Sequence, residues 1–405
     1  MALVVTKFGG SSVATPALIK KVAQRLVDRK VAGDEVVAVV SAMGHTTDEL
    51  LDLAHAVTER AHARELDMLL ATGEQVTIAL LAMAIHELGH RARSLTGLQA
   101  GIETDGVHTK AKVRNVVADR VRDALDSDNI VIVAGFQGTT PTGDITTLGR
   151  GGSDTTAVAL AAAIGADICE INSDVAGVFT ADPNVVPNAR KMDRISYEEM
   201  LEMAASGAGV LSMRSVEFAR NHHVTINSRG SFTDEPGTII TNGESDMEEA
   251  IVSAVTQDHD DAKITIRGVE DRPGIAATLF NSLATENVNV DMVIQNISEE
   301  GLTDISFTVP SSDIVRAKRA VTAILEQIGA RTWLVDTEVA KVSIIGGGMR
   351  THPGVTAKMF QALADEGINI DLISTSPIRL SCIIAQKDAD RAVRALHSAF
   401  GLDKE

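Results

Sequence analysis

Aromatic side chains are scarce in this 405-residue chain: one Trp, one Tyr and nine Phe, 3% in all. That leaves little material for a base-stacking surface. Basic charge is also short, with 37 Lys and Arg against 55 Asp and Glu and a net charge of −18. Sequence-independent nucleic-acid binding needs cations to displace phosphate counterions, so nucleic acid is excluded as a partner. Two cysteines cannot build a disulfide framework, which points to a reducing, cytoplasmic setting. Nine prolines and 32 glycines exclude collagen-like and low-complexity chains. The longest apolar runs, Ile78 to Ile85 and Ala157 to Ile164, are under half a membrane span, so no membrane partner is expected. The N-terminal apolar run stops at Lys7, too soon for a signal-peptide core.

What remains is an ordinary globular composition, 44% hydrophobic and 23% charged, long enough for two to three domains at about 150 residues each. Over the first ~240 residues, β-branched runs at Leu3–Thr6, Glu35–Ser41, Asn129–Ala134, Ile168–Asn172 and Val224–Asn227 read as strands. Helical periodicity fills the gaps at 16–30, 47–59, 65–87, 109–125 and 153–164. Strand and helix in alternation predict a mainly parallel sheet sandwiched by helices. A turn at Asp234-Glu-Pro-Gly237 and a polar stretch at Gln257–Asp261 mark a change of composition.

Beyond the linker the chain repeats itself. Pro273-Gly274 recurs as Pro353-Gly354, and Asn289-Val-Asp291-Met as Asn369-Ile-Asp371-Leu, both offset by 80 residues. The first copy, 262–337, reads as a complete βαββαβ unit ending in the strand Thr332–Val335. The second, from 338 to 405, lacks its last strand. The orphan segment 250–255 is expected to cross over and supply it, which also protects a bare sheet edge. The expected domains are therefore 1–245, then 262–337, then 246–261 together with 338–405.

Three clusters carry chemistry. Lys7-Phe8-Gly9-Gly10-Ser11-Ser12 follows a strand and precedes a helix, so backbone N–H groups, a helix dipole and an ammonium can meet a phosphate. The spacing is not that of a Walker loop. Gly149-Arg150-Gly-Gly-Ser153-Asp154 opens another helix; Arg150 suits a carboxylate, Ser153 a cap or a substrate, and Asp154 either the lysine or the helix dipole. Thr72-Gly-Glu74 puts a carboxylate near a helix start, where it can meet an ammonium or simply the dipole. Ser41-Ala-Met-Gly44 and Asn172–Thr180 also follow strands, the edge where open α/β sheets bind ligands. Cys169 and Cys382 read as small core residues, His222-His223 as solvated surface, and the methionines from 192 to 213 as packing. The acidic runs 244–249 and 258–261 read as exposed.

These residues, with Gly135-Phe-Gln-Gly138, Ser173-Asp174 and Phe179-Thr-Ala-Asp182-Pro, resemble the bacterial aspartate kinases that carry one kinase domain and two ACT modules. The resemblance covers essentially the whole chain. It implies the amino-acid kinase fold followed by two ACT-like modules, and transfer of phosphate from ATP, with Mg²⁺, to the side chain of L-aspartate. That product is the first step toward lysine, threonine and methionine. It implies that Lys7 stabilises the transferring phosphoryl group beside Phe8, Gly9 and Gly10, and that Asp154 holds Lys7. Arg150 takes the substrate carboxylate and Glu74 its ammonium, with Ser41, Thr47 and Ser153 lining the pocket. Ser173, Asp174, Phe179 and Asp182 lie around the nucleotide. A threonine effector is implied near Asp271, Gly274, Ile275, Ala276, Gln295, Asn369 and Ile370, in a homo-oligomer of at least two chains.

Three positions depart from the family pattern. Asn184 and Gly209 stand where it has Arg and Lys near ATP, so weaker nucleotide handling is expected unless Arg190, Lys191 or Arg214 substitutes. Pro377 stands where a glutamate would meet a lysine effector, which argues against lysine feedback. The competing readings are a paralogue acting on aspartate or a related amino acid in a specialised pathway, and a non-catalytic effector-binding subunit.

Overall fold

The computed structural model describes residues 2–243, 251–297 and 301–404, with only the backbone described at Ile297 and Arg350. The acidic run 244–249 and the start of the orphan segment at Ala250 lie outside the described residues. The chain forms two compact units. One comprises 1–178, 191–204 and 209–245; the other comprises 179–190, 205–208 and the chain from 246 onward.

The first unit is built on an eight-stranded sheet. In spatial order its strands are Arg194–Ser196, Thr238–Thr241, Ile226–Gly230, Ile168–Ser173, Leu3–Phe8, Glu35–Val40, Ile130–Ala134 and Ala92–Leu95. The six from Ile226–Gly230 to Ala92–Leu95 run parallel, and only Thr238–Thr241 meets its neighbour Ile226–Gly230 antiparallel. Leu3 pairs with Glu35 and Phe8 with Val40, so the two central strands end level. Val36 to Val40 are all buried, as expected of a strand covered on both faces. Leu26 of the helix Pro16–Val31 and Leu81 and Ile85 of the helix Thr72–Glu87 share one core with Val36, Ala38, Ile130 and Ile132. The helix Gly152–Ile164 packs on the strands Leu3–Phe8 and Ile168–Ser173.

Several elements differ from the sequence expectation. The helix expected over 109–125 is a strand, Val113–Val116, followed by a short helix, Asp119–Asp126. That strand joins Ile102–Thr104, Gln137–Thr139 and Ile145–Thr147 in a second, four-stranded sheet. The helix expected over 65–87 is two helices, Ala63–Leu70 and Thr72–Glu87, meeting at Ala71. By length and composition the stretch Ala63–Glu87 is apolar enough to cross a membrane, which the count of short apolar runs missed. It is nevertheless half buried in protein and carries the buried carboxylates of Asp67 and Glu74.

In the second unit each repeat forms a four-stranded antiparallel sheet under two helices. The first orders Val293–Ile297, Leu302–Pro310, Asp261–Glu270 and Thr332–Asp336, with helices Ile275–Thr285 and Ile314–Ile324. The second orders Leu372–Ser376, Arg379–Ala385, Val339–Ile345 and Ala254–Asp258, with helices Val355–Asp365 and Ala389–Ala399. Ala254–Asp258, which precedes the first repeat in the chain, occupies the edge position that Thr332–Asp336 fills in the other sheet. It begins four residues after the start of the segment marked in the sequence.

Residues 179–190 do not follow a single boundary near 245. Ala181 and Val186 are buried in the core of the second repeat with Val255, Val342 and Leu396. Val255 N–H donates to the Thr180 carbonyl at 2.8 Å, and Thr180 Oγ1 lies 2.9 Å from His397 Nε2. Pro183 and Pro187 interrupt the few apolar residues of this segment, which therefore show neither a helical nor a strand period, so its packing partner was not readable.

Candidate active site

The functional side chains of the first unit gather where its parallel strands end. Lys7 is the fifth residue of the first strand, and its Nζ stands 2.6 Å from Asp154 Oδ1 in the first turn of the helix Gly152–Ile164. Both are about one-tenth exposed, at 12% and 11%. The contact is ionic rather than an aligned hydrogen bond, because Asp154 Oδ1 has no donor in hydrogen-bond geometry. Of the two readings open for Asp154, the lysine partner is the one the geometry realises. The same carboxylate still offsets the helix dipole.

Behind Lys7 the chain turns tightly through Gly9 and Gly10. A Cβ on Gly10 would sit 3.0 Å from the Ala42 carbonyl oxygen and 3.1 Å from that of Gly44. Gly44 N–H donates to the Gly10 carbonyl at 3.1 Å, so the loops after the first two strands are laced together. The helix expected right behind the glycines starts later, at Pro16, after a single 3-10 turn at Gly10–Val13.

Ser41 Oγ donates to Ser153 Oγ at 3.0 Å. Ser153 does not cap its helix; it is buried inside the first turn. Glu74, third residue of the helix Thr72–Glu87, is 2% exposed. Its Oε1 accepts the Ala42 N–H at 3.0 Å, while its buried Oε2 has no partner. Burial drives the Glu74 pKa up to about 7, against the downward pull of that N–H. Lys7, Ser41, Glu74, Ser153 and Asp154 thus form one linked set. Thr47 is half-buried near the start of the helix Thr46–Val57. Arg150 is exposed and has no ion-pair partner among the described residues.

The glycine-rich loop is held from behind. Gly151 adopts φ +68°, and a Cβ there would fall 2.2 Å from Ser212 Cβ. Arg214 donates to the Leu148 carbonyl at 2.6 Å and the Ala111 carbonyl at 3.0 Å. Arg214 is therefore committed to the loop and does not replace a phosphate-side cation. Lys191 donates to the Pro236 carbonyl and Arg190 Nε to that of Leu402 at 2.9 Å, so neither is free to substitute. Gly209 is exposed, with open space around its α-carbon.

Ser173, at the end of its strand, exchanges hydrogen bonds with Val175, and Asp174 is exposed. Phe179, Asp182 and Asn184 belong to the second unit. There Asp182 Oδ1 accepts the Asn184 N–H at 2.8 Å in a tight turn. The expected effector residues are spread over both repeats: Asp271, Gly274, Ile275 and Ala276 at the start of one helix, Gln295 in a strand, Asn369 and Ile370 before another. A cavity of about 230 Å³ sits at the matching helix start of the second repeat, lined by His352, Gly354, Thr375 and Pro377 among others. It contains none of those seven.

Two residues near the site were given no role by the sequence, Gln137 although it stands in the quoted Gly135-Phe-Gln-Gly138 motif and Asp67 altogether. Gln137, 2% exposed, donates to the Ala71 carbonyl at 2.9 Å between the two helices. Asp67 is fully buried and shares the inward face of its helix with Leu70. A carboxylate on an apolar stripe was the available signal for it.

Residues 2–227 match the amino acid kinase family, and 264–325 and 342–400 match ACT domains. Sheet, site and repeats thus define an amino acid kinase with C-terminal ACT domains. The chain is 56% identical to the aspartokinase of Mycolicibacterium smegmatis, over 99% of this chain and 97% of that one. It is 53% identical to the aspartokinase of Corynebacterium glutamicum, over 100% and 97%. The crystal structure of E. coli aspartokinase III with aspartate and ADP superposes with a TM-score of 0.86 at 24% identity, over 98% and 99%, and shares the fold. The chain belongs to the aspartokinases, ATP-dependent enzymes that phosphorylate aspartate.

Proposed function

We propose that Lys7 neutralises the phosphoryl group in flight, held in place by Asp154, with Phe8, Gly9 and Gly10 backing the phosphates. Glu74 receives the substrate ammonium and Arg150 its α-carboxylate, while Ser41, Thr47 and Ser153 line the space between. Ser173 and Asp174 lie on the nucleotide side. The observation that carries this reading is the buried, unpartnered Oε2 of Glu74, whose other oxygen holds Ala42 N–H next to Ser41, the residue that donates to Ser153 beside Asp154. A buried carboxylate with a raised pKa is stabilised by an arriving cation. The attacking side-chain carboxylate of aspartate needs no strong base, so rate comes from alignment and charge neutralisation.

Magnesium fits this site as a metal that arrives on the nucleotide. No group of three His, Cys, Asp or Glu side chains poised for a metal occurs among the described residues, and Mg²⁺ favours phosphate and water over protein cages. It would supply charge neutralisation on the phosphates, and Asp174 is the exposed carboxylate on that side.

The catalytic domain spans 1–245, less the stretches 179–190 and 205–208, and the two repeats form the ACT modules. The product feeds lysine, threonine and methionine formation in the cytoplasm. Threonine is the effector of the modules. The edge strands of both repeats leave Val293 and Ile373 half exposed, a feature that favours a homo-oligomer. The test is trapping of an acyl phosphate as the hydroxamate, with L-aspartate, ATP and Mg²⁺. Product from the native chain and none from Lys7→Ala is the expected result; equal product from both overturns the role of Lys7.

A further inference from the structure

Asp67 is fully buried, yet it sits in the helix Ala63–Leu70 with no substrate-facing role in the arrangement above. The hydrogen bonds its carboxylate makes go to two segments distant in sequence. Its Oδ1 accepts Thr147 Oγ1 at 2.5 Å and Thr109 N–H at 3.0 Å. Its Oδ2 lies 2.7 Å from His108 Nδ1.

Both segments bear on the loop that carries Arg150. Thr147 ends the strand Ile145–Thr147, three residues before Arg150. Thr109 holds φ +68°, a left-handed conformation that is costly for a β-branched residue and persists only where its surroundings enforce it. In that pose its carbonyl oxygen lies 3.2 Å from where a Cβ on Gly149 would be, directly under the loop. One turn before Asp67, Arg64 Nε donates to Asp144 Oδ1 at 2.8 Å, a second and more exposed tie to the same segment. At its other end the helix runs through Ala71 into the helix that carries Glu74.

We infer that Asp67 is a positioning residue for aspartate: it joins the helix leading to Glu74 to the loop bearing Arg150, and so sets the gap between the groups that grip the two ends of the substrate's amino-acid moiety. This rests on the roles proposed above for Glu74 and Arg150. Nucleotide-side groups, Lys7 and Asp154, pair with each other and share no hydrogen bond or ion pair with Asp67, so loosening it misplaces aspartate and spares ATP.

The experiment compares Thr147→Val, Asp67→Asn and Asp67→Ala with the native chain, measuring KM for aspartate and for ATP separately. Thr147→Val keeps shape and removes one hydrogen bond, so it serves even if Asp67→Ala does not fold. The expected result is a rise in aspartate KM of about tenfold for Thr147→Val, with ATP KM held within about twofold, as a small misplacement of a positioned group predicts. Asp67→Asn, which retains acceptors for Thr147 and Thr109, rises less than Asp67→Ala. In an Arg150→Ala background, Thr147→Val adds nothing further to the aspartate KM. A folded Thr147→Val with both KM values unchanged, or both raised alike, or with an effect that multiplies on Arg150→Ala, overturns the inference. If Arg150→Ala itself leaves the aspartate KM unchanged, the role proposed for Arg150 fails, and the inference fails with it by a separate reading.

Discussion

Lys341, in the first strand of the second repeat, places its Nζ 2.7 Å from Oδ2 of Asp291 in the first. The relation is returned: Lys263, at the start of the first repeat, pairs with Asp371 of the second. Asp291 and Asp371 are the same position of the repeated Asn-x-Asp motif. Met292 and Leu372, the residues after them, share one apolar cluster with Val339 and Ile383. The repeats thus clasp each other by exchanging like for like.

Lys341 is the buried half of that exchange. Its side chain is 3% exposed, and Asp261 and Asp258 stand 3.0 and 3.8 Å away. Burial alone would lower its pKa, but the three carboxylates hold it above the ordinary value. Replacing it with Met strands Asp261, which is 7% exposed at the side chain. Removing one partner of a buried pair costs about 3–5 kcal/mol. Lys341→Met should therefore lower the thermal midpoint of the ACT region well beyond Lys263→Met, whose lysine is 17% exposed.

Asp154→Asn removes the charge that faces Lys7 while keeping size. If the pair holds the ammonium at the phosphoryl path, turnover falls by about 10²–10³-fold, the scale seen for lost charge-stabilising donors. Steady-state kinetics check this. A loss confined to KM for ATP would mean that Lys7 binds the ground state only.

Glu74 titrates at about 7 in the folded chain against an ordinary 4.5. The folded state keeps the proton longer, so this burial subtracts stability progressively as pH rises from 4.5 to about 7, by about 3 kcal/mol in full. Glu74→Gln should raise the thermal midpoint above pH 7 and leave it unchanged near pH 4. In the native enzyme an ammonium must find the ionised form, so KM for aspartate should climb as pH falls below about 7. Glu74→Gln should flatten that climb while weakening binding overall.

Gly209 does not hold a left-handed φ and has open space where a Cβ would be, so a lysine fits there. A regained charge-assisted contact is worth about 1.5–3 kcal/mol. Gly209→Lys should lower KM for ATP by about tenfold or more, with aspartate KM unmoved. An unchanged ATP KM would show that the nucleotide does not pass near this position.

Pro377 lines the cavity of the second repeat and offers neither charge nor N–H. The native enzyme should be inhibited by threonine and insensitive to lysine. Pro377→Glu should introduce a lysine response, read as inhibition of hydroxamate formation.

The parts legible in the sequence were those with a strong period or a motif. Glu35–Val40 reads as a buried strand because every residue after Glu35 is apolar, and the repeats announce themselves through Pro-Gly and Asn-x-Asp. The small sheet stayed hidden because strands of three or four residues, such as Gln137–Thr139, carry no measurable alternation. Ala111, Val113 and Val116-Val117 mimic a helical stripe, which is why a helix was expected where a strand lies. Lys7, Asp154, Glu74 and Ser153 were found as separate motifs, but their meeting depends on the level ends of parallel strands. Arg214 was one of three cations weighed as stand-ins near ATP, and the sequence could not show that two loop carbonyls claim it.

The edge strand Ala254–Asp258 has a consequence for how the chain is made. Asp258 pairs with Lys341, so the points where the first repeat is entered and left lie side by side. The first repeat is a cassette threaded into its host, and it emerges complete from the ribosome while the host's opening strand still waits for its neighbours. Synthesis therefore finishes the inner module before the outer one can close. A chain cut short before Val339 would retain the cassette and leave that waiting strand as an adhesive edge.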